Sequence, residues 1–295
     1  MCALKMFLYF VVLYTFLLAN GQQQSDSQSC GRVPLALRDS VGQQMNLFPW
    51  MALLTYKNRL TSEPDGNPQS LSAGSLIHKR YVLTAANCVI RRELIQRDIV
   101  LKGVRLGEHN ISSNPDCITE RDRTRCAPPH LEVDVEQIIV HGDYRMDVPY
   151  QNDIALLRLD RPVVYTAAIQ PICIQGGGDQ GNRSNSHLIA GWDLGNERCP
   201  GQELLHSHIK KLPSVACSRH PNFDASSKIC AGGQDACVVI SGGPLMTSIG
   251  HGLDEFVYLA GITSYEFKTS SQKVNPVVFT KTEHFLSWII KYLRP

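Results

Sequence analysis

The stretch Gly74-Ser-Leu-Ile-His-Lys-Arg-Tyr-Val-Leu-Thr-Ala-Ala-Asn-Cys88 decides the fold of this chain. Two short runs rich in apolar residues flank the polar pair Lys79-Arg80, and small residues follow the second run. This order predicts a strand, a tight turn, a second strand and a turn made of small residues. Because the connection is so short, the two strands are expected to pair antiparallel.

Outward from this stretch, short apolar runs continue along the chain and are separated by Gly, Pro, Asn and Asp. They are residues 50–54, 81–83, 138–140, 154–157, 188–190 and 256–260. Runs of this length at short intervals predict an all-β barrel or sandwich. From residue 285 to 293 the apolar residues recur close to helical spacing, with Thr282 as a candidate N-cap, so one C-terminal α-helix is predicted.

The composition is that of an ordinary globular protein, since 43% of the 295 residues are hydrophobic and 19% are charged. The formal net charge of +2 gives no electrostatic reason to expect nucleic acid as a partner. The ten cysteines indicate disulfides in an oxidising compartment, or metal or redox chemistry in the cytosol. No Cys-x-x-Cys pair occurs, so a zinc ribbon is not predicted.

The N-terminus indicates the oxidising compartment. A basic residue precedes the apolar run 6–19, and Ala19 and Gly21 have the spacing of a signal peptidase site. We interpret residues 1–21 as a signal peptide and expect a secreted, extracellular protein without a membrane partner. The run is short for the alternative, a membrane anchor. Removal of Cys2 leaves an odd number of cysteines, so at least one is unpaired or bonded to another molecule.

Two further segments place polar side chains next to strands. Asn152-Asp-Ile-Ala-Leu-Leu-Arg-Leu159 has an acid before an apolar run, and Ser241-Gly-Gly-Pro244 has a hydroxyl in a glycine turn. With the first stretch, Phe48-Pro-Trp50 and Gly191-Trp192, they resemble the chymotrypsin-like (S1) serine proteases over residues 41–294. The resemblance implies an all-β fold of two antiparallel six-stranded β-barrels with a C-terminal α-helix, and an active site between the barrels.

Within this family the chain is most similar to the insect clip-domain proteases. The similarity is carried by Arg105-Leu-Gly-Glu108, by the loop from Cys117 to Cys126 with the following Ala127-Pro-Pro129, and by Gln170-Pro-Ile-Cys-Ile174. A clip domain needs six upstream cysteines, and only Cys30 lies between residues 22 and 87. We therefore expect residues 22–40 to form an N-terminal segment that is tethered by Cys30, and no clip domain.

The family uses a serine nucleophile, a histidine base and an aspartate that orients the histidine. By resemblance, Ser241 and Asp153 match the serine and the aspartate, but Asn87 stands at the histidine position. An amide does not accept the serine proton near neutral pH, and a serine without a base is a poor nucleophile. His78 and His251 are nearest to the motifs in sequence, and we expect both on surface loops. We predict that no catalytic set is intact, with Ser241 and Asp153 as relics.

The positions that activate a family member are altered as well. In the family, cleavage frees an Ile or Val amine that pairs with an Asp just before the nucleophile, and here that residue is Ile240. The matching cut, Arg38-Asp39, frees an aspartate, whose charge belongs in water. Val239 replaces a glycine whose N–H helps to form the oxyanion hole. If that position requires a positive φ, a β-branched residue there is strained or reshapes the loop.

The specificity pocket that the resemblance implies is also changed. Asp235 matches the acid that binds a substrate Arg or Lys in trypsin-like enzymes. Glu266 and Val277 replace two glycines that leave the pocket open in the family. We therefore interpret Asp235 as a relic of that pocket.

The same resemblance assigns three disulfides, Cys30–Cys173, Cys117–Cys126 and Cys217–Cys230. Cys88 and Cys237 meet serines where the family has cysteines, and Cys199 is additional. One interpretation makes Cys88 a buried small apolar residue. In the other, two of these three cysteines pair and the third is free for a partner.

Three surface features carry predictions of their own. Asn110-Ile-Ser and Asn182-Arg-Ser are glycosylation sequons, so we expect a glycoprotein. Glu108 and the loop after it resemble a calcium-binding loop of some family members, with a solvated acid as the alternative. No other metal and no cofactor are expected.

The leading hypothesis is a secreted serine protease homologue without catalysis, which binds proteins as a regulator or cofactor. By resemblance its setting is an extracellular cascade of insect innate immunity or melanisation, and its partners are secreted proteases or their substrates. One alternative is an active trypsin-like endopeptidase with atypical catalysis. The other is a recognition module for microbial surfaces.

Overall fold

The computed structural model describes residues 30–32, 47–60, 72–120, 123–148, 150–174, 186–192, 202–220, 222–233, 239–249, 256–267 and 275–294. Several predictions lie outside these residues, namely the signal peptide, the Arg38-Asp39 cut, Asn182, Cys199, Asp235, Cys237 and His251. All the strands and helices below belong to one unit, Gly31–Pro295.

The first eight strands form a barrel and a separate ribbon. They are β1 (Met51–Asn58), β2 (Ala73–His78), β3 (Tyr81–Thr84), β4 (Ile99–Leu106), β5 (Cys117–Glu120), β6 (Arg123–Cys126), β7 (Leu131–Val140) and β8 (Ala155–Leu159). Six of them close a barrel in the order β1-β2-β3-β8-β7-β4, and β5 pairs with β6 as a two-stranded ribbon. Every described pairing among them is antiparallel.

The remaining six described strands close a second barrel. They are β9 (Ser186–Trp192), β10 (Leu204–Lys211), β11 (Lys228–Gly232), β12 (Pro244–Ile249), β13 (Phe256–Glu266) and β14 (Val277–Lys281). Their order around the barrel is β10-β11-β14-β13-β12-β9, again antiparallel throughout. The predicted all-β fold with two six-stranded barrels is therefore confirmed.

Short helices connect and close the barrels. Helix α1 (Arg92–Gln96) follows the first hairpin, and 3-10 helices span Ala86–Cys88 and Ser214–Ala216. At the C-terminus a 3-10 helix, Thr282–Phe285, runs into α2 (Leu286–Tyr292), so the predicted terminal helix is confirmed. The N-cap prediction was wrong. Lys281 is the capping residue, while Thr282 is inside the first turn with a buried hydroxyl that has no hydrogen-bond partner.

The hairpin of β2 and β3 shows why the opening stretch decides the fold. Ser75 pairs with Leu83 and Leu76 with Val82, and the turn between the strands is Lys79-Arg80. Leu76, Val82 and Leu83 are fully buried, and since Val82 and Leu83 face opposite sides of β3, the hairpin is covered by apolar packing on both faces. Full burial of such side chains stabilises the fold by about 1.5–3 kcal/mol each.

One large apolar cluster extends over both barrels and fixes one against the other. It contains Trp50 and Leu156 from the first half and Met246 and Leu259 from the second. The Trp50 indole Nε1 donates to Met246 Sδ at 3.2 Å. The barrels therefore meet through packed side chains.

Candidate functional site

Asn87 is the central residue of the candidate site. It lies in the 3-10 helix directly after β3, formed by the small residues that the sequence places there, and its side chain is buried. Its amide nitrogen Nδ2 donates to Asp153 Oδ2 at 2.6 Å and to the Ser264 carbonyl at 3.1 Å. Its amide oxygen Oδ1 accepts a hydrogen bond from Ser241 Oγ at 2.7 Å. Asn87 therefore links the acid to the hydroxyl.

Ser241 lies in a tight turn before β12. Gly242 has φ +79°, a left-handed conformation that favours glycine. A Cβ atom at Gly242 would clash with the Ala73 carbonyl oxygen. The turn also pairs with the first barrel through a parallel β-bridge between Ser72 and Ser241. Glycine at position 242 therefore allows the backbone to approach β2 closely enough to present the hydroxyl to Asn87.

Asp153 is fully buried and precedes β8 by two residues. Its carboxylate accepts hydrogen bonds from Asn87 N at 2.8 Å, from Asn87 Nδ2 and from Ser264 Oγ at 2.5 Å. Burial raises the pKa of this carboxyl, while the nearby Lys228 ammonium and the hydrogen bonds from Ser264 and Asn87 lower it. The three donors stabilise the ionised form at the centre of the site.

The structure thus brings the three matched positions together in one row. Ser241 donates to Asn87, and Asn87 donates to Asp153, as a neutral histidine does in a serine protease triad. An amide can make both hydrogen bonds, but its oxygen has no useful basicity near neutral pH. The arrangement preserves the hydrogen-bond geometry of a triad and lacks its proton acceptor.

Sequence reasoning missed Lys228, the first residue of β11. Its side chain is buried, and Nζ donates to the Tyr150 carbonyl at 2.5 Å, to Thr280 Oγ1 at 3.2 Å and to Ser264 Oγ at 3.4 Å. Burial lowers the pKa of the Lys228 ammonium to about 8, while the charge of Asp153 raises it. In the sequence, Lys228 stands directly before the apolar residues of a strand. Surface lysines often have this position, so the pattern does not predict that Lys228 is buried.

Cys88 is a free and fully buried thiol next to Asn87. Its Sγ lies 3.4 Å from Ser241 Oγ, as a donor to that oxygen. Burial raises the pKa of the Cys88 thiol, so the neutral thiol is the stable form. This agrees with the interpretation of Cys88 as a small apolar residue beside Ser72, whereas Cys199 and Cys237 are not described.

The altered activation and oxyanion positions are packed into the protein. Ile240 is buried in the large apolar cluster. Val239 packs against a second cluster, in which Val277 is 1% exposed. Among the described residues, positive φ outside glycine occurs at Asp98, Tyr150 and Asn152, so Val239 does not have the strained backbone considered above.

The two substituted pocket positions lie on neighbouring strands. Glu266 at the end of β13 pairs with Val277 at the start of β14. Val277 is buried among apolar side chains, whereas Glu266 is exposed. The Glu266 carboxylate therefore lies in water at the end of β13, and its effect on a substrate pocket stays a prediction, since Asp235 lies outside the described residues. Val277 does place an apolar side chain in the interior.

Two of the assigned disulfides are present as pairs, Cys117–Cys126 and Cys217–Cys230. Cys30 and Cys173 are each disulfide-bonded. Gly31, which follows Cys30, donates to the Pro171 carbonyl at 2.8 Å and accepts from Val257 N at 2.8 Å. The backbone of Gly31 is therefore hydrogen-bonded to the residues around Cys173, and the pairing of Cys30 with Cys173 stays a prediction.

The Glu108 carboxylate is buried and lies between two basic side chains. Its Oε2 is 3.0 Å from Arg105 Nη1 and 3.1 Å from His130 Nδ1. Burial raises the pKa of Glu108 to about 7, against the lowering by Arg105. A calcium ion here would compete with the guanidinium, so these contacts fit an ion pair better than a calcium ligand. The alternative of a solvated acid was wrong, because the carboxylate is buried, and calcium binding is not tested by these contacts.

The sequon at Asn110 adopts a local turn. Asn110 Oδ1 accepts hydrogen bonds from Ser112 N at 3.0 Å and from Ser112 Oγ at 2.6 Å. Asn110 is half-buried on a loop, and its glycosylation stays a prediction.

His78 lies at the end of β2, where its ring packs 5.7 Å from the ring of Tyr81, and it is not among the hydrogen-bond partners of Ser241 described above.

The two barrels and the Asp153–Asn87–Ser241 row between them define a protein of the chymotrypsin-like class. Comparison with known proteins agrees, since the model of the family Trypsin matches residues 39–289. The chain therefore belongs to the trypsin family.

Several relatives of this chain are insect proteins. The chain is 39% identical to "Spaetzle-processing enzyme" of Drosophila melanogaster over 84% of this chain and 64% of that protein. It is 35% identical to "Melanization protease 1" of the same organism, over 84% and 63%. It thus spans less than two thirds of these relatives' length. The solved structure of the Drosophila Grass clip serine protease of the Toll pathway is similar with a TM-score of 0.72 and 29% identity, over 90% of this chain and 75% of that one.

No helix among the described residues is long and apolar enough to cross a membrane.

Proposed function

We propose that this chain is a trypsin-family protein without peptidase activity, which acts by binding other proteins of an extracellular protease cascade. The observation that carries the proposal is the side chain of Asn87. It accepts the hydrogen bond of Ser241 and donates to Asp153, where an active member has a basic imidazole. In subtilisin, loss of the histidine base alone lowers turnover roughly 10⁶-fold.

Two further substitutions support the proposal. Ile240 is buried in an apolar cluster, and an isoleucine offers no carboxylate to a new amino terminus. Val239 packs against the same cluster as Val277, so apolar side chains occupy the positions where the family has glycines. A substrate would therefore meet neither a proton acceptor nor the usual pocket.

The relatives support protein partners. Their names include "Spaetzle-processing enzyme", "Melanization protease 1" and "Phenoloxidase-activating factor 3". We infer that the partners here are secreted proteases, their zymogens or their substrates, in insect innate immunity or melanisation. In this setting the two barrels present loops to another protein without cutting it.

The first experiment measures hydrolysis of Arg and Lys esters and peptide amides by the purified chain, before and after treatment with an activating protease. A Ser241→Ala variant is the matched control. We expect no difference between the two proteins and no labelling of Ser241 by a fluorophosphonate. Turnover that disappears in Ser241→Ala would overturn the proposal and establish atypical catalysis.

The second experiment tests the binding role. The chain is added to a reconstituted pair of secreted trypsin-family zymogen and activator, and the rate of zymogen activation is measured. We expect a change in that rate at concentrations where the two proteins bind. Binding to microbial polysaccharide together with no effect on activation would instead favour recognition of microbial surfaces.

A further inference from the structure

A positive charge lies behind the Asp153–Asn87–Ser241 row, although none of the sequence motifs requires it. Lys228 begins β11 of the second barrel, and its side chain reaches the interface with the first barrel. We propose that Lys228 is a positioning residue that balances the charge of Asp153 through two hydroxyl bridges. It thereby weakens the negative field that Asp153 would otherwise exert on a positive group at position 87.

The hydrogen bonds give this bridge a direction. Lys228 Nζ donates to Ser264 Oγ at 3.4 Å and to Thr280 Oγ1 at 3.2 Å. Ser264 Oγ in turn donates to Asp153 Oδ2 at 2.5 Å, and Thr280 Oγ1 donates to the Asp153 carbonyl at 2.9 Å. Each hydroxyl accepts from the cation and donates towards Asp153, so both dipoles are aligned between the two charges.

The third ammonium hydrogen is also used. Nζ donates to the carbonyl of Tyr150, a residue with φ 71°. A left-handed backbone costs a non-glycine residue about 1–2 kcal/mol, so the contact helps to hold an unfavourable conformation. All three ammonium hydrogens of Lys228 are therefore satisfied, which a buried charge requires.

Asp153 and Lys228 are the two opposite charges buried at this site, because the other buried titratable groups around them are neutral near pH 7. The groups that interact electrostatically with one of them are Cys88, Tyr144, Tyr150, Tyr265, Asp224 and His220. Burial raises the pKa of the thiol and of the three tyrosines, and burial lowers that of His220, so all five are neutral near pH 7. Asp224 already accepts hydrogen bonds from Ser226 and Ser227.

This charge balance has a consequence for a histidine at position 87. In an active triad the aspartate stabilises the imidazolium that forms when the serine proton is taken up. Here a fixed ammonium on the far side of Asp153 opposes that stabilisation. Asn87 is neutral, so the present site tolerates the lysine, whereas an imidazolium would be repelled by it.

The test is an NMR titration of the imidazole introduced by Asn87→His, alone and together with Lys228→Met. We expect its pKa to be higher by about one pH unit when the lysine is removed. Lys210→Met in the same Asn87→His background is the matched control, since Lys210 is exposed on β10, and it should leave that pKa unchanged. Lys228→Arg, which keeps the charge, should retain the lower pKa. Equal pKa values with and without Lys228 would overturn the proposal.

A second measurement covers the case in which Lys228→Met does not fold. The amine of Lys228 is titrated by NMR in the unmodified sequence and in Asp153→Asn. We expect a pKa near 8 in the first protein and a lower value in the variant, because the compensating carboxylate is lost. An unchanged pKa would show that Asp153 is not its partner. The proposed lack of peptidase activity is tested independently by hydrolysis with the unmodified protein.

Discussion

At the scale of single residues, asparagine at position 87 keeps the hydrogen bonds of a catalytic triad but lacks the base that the reaction needs. An amide has one donor group and one acceptor group, so it can replace both hydrogen bonds of a neutral imidazole. This explains why Ser241 and Asp153 remain at hydrogen-bond distance from Asn87 on both sides. The retained carboxylate then has a structural partner and is not left unpaired in the interior.

We predict that Asn87→Ala lowers the free energy of unfolding by about 2–3 kcal/mol, because it leaves a buried carboxylate with one donor fewer. Ser241→Ala removes a neutral hydroxyl, which donates to Asn87 and accepts from the Cys88 thiol, and should cost about 1 kcal/mol. Denaturant unfolding followed by fluorescence measures both. A larger loss for Ser241→Ala than for Asn87→Ala would contradict the central role of the amide.

At the scale of elements, the two paired disulfides differ in what surrounds them. Cys117–Cys126 closes the ribbon of β5 and β6, and the four residues of β6 are exposed. Cys217 and Cys230 are buried in an apolar cluster with Tyr265 and Val278. The first bond therefore constrains an exposed ribbon, while the second is also part of a packed interior.

We expect Cys217→Ala/Cys230→Ala to be more destabilising than Cys117→Ala/Cys126→Ala. Closing loops of these lengths contributes about 3 kcal/mol in the chain-entropy model, and the buried pair additionally leaves a cavity. The ribbon variant should lose less global stability and instead be cut faster by a protease within the ribbon. Thermal unfolding and limited proteolysis distinguish the two effects, and equal losses of stability would refute this ranking.

At the scale of the whole molecule, the candidate site exists because the barrels meet. Asn87 and Asp153 come from the first barrel, whereas Ser241, Ser264 and Lys228 come from the second.

We predict that Asn87→His alone does not restore peptidase activity, since Val239, Ile240 and Val277 remain. Losing one oxyanion donor costs roughly 10²–10³-fold by itself. Near-normal hydrolysis of Arg substrates by this single variant would show that the missing base is the only defect.

The pH dependence of global stability should report Glu108. Its pKa is about 7 in the folded protein and 4.5 as an ordinary carboxyl, so the folded state binds more protons between these values. Its contribution is fully present below pH 4.5 and is lost as the pH rises through 7. The stability of the wild type relative to Glu108→Gln should thus fall by up to about 1.4 kcal/mol per pH unit in this window.

Urea unfolding at several pH values between about 4.5 and 7.5 measures this difference. Glu132→Gln is the matched control, because Glu132 contacts the same Arg105 with a half-exposed side chain. A difference between wild type and Glu108→Gln that does not change with pH would show that the ion pair with Arg105 outweighs burial.

The sequence by itself determined an all-β barrel or sandwich with a closing helix, and its resemblance to a known family added the two barrels and the identity of the three residues in the row. Strand length, turn residues and apolar spacing are local properties, and the resemblance supplied the order in space. It also placed Asn87 at the histidine position before any distance was known. Thr282 was misassigned because a 3-10 turn begins one residue earlier than the helical spacing indicated.

Only the tertiary structure decided the role of Lys228, Glu108 and Glu266. Lys228 and Glu108 are charged residues that a sequence places in water by default, yet both are buried beside partners far away in the chain or across a loop. The exposure of Glu266 at the end of β13 was likewise not readable from the sequence. Burial and partners depend on how the barrels pack against each other, and this packing sets the free energy of each charge, which no local pattern encodes.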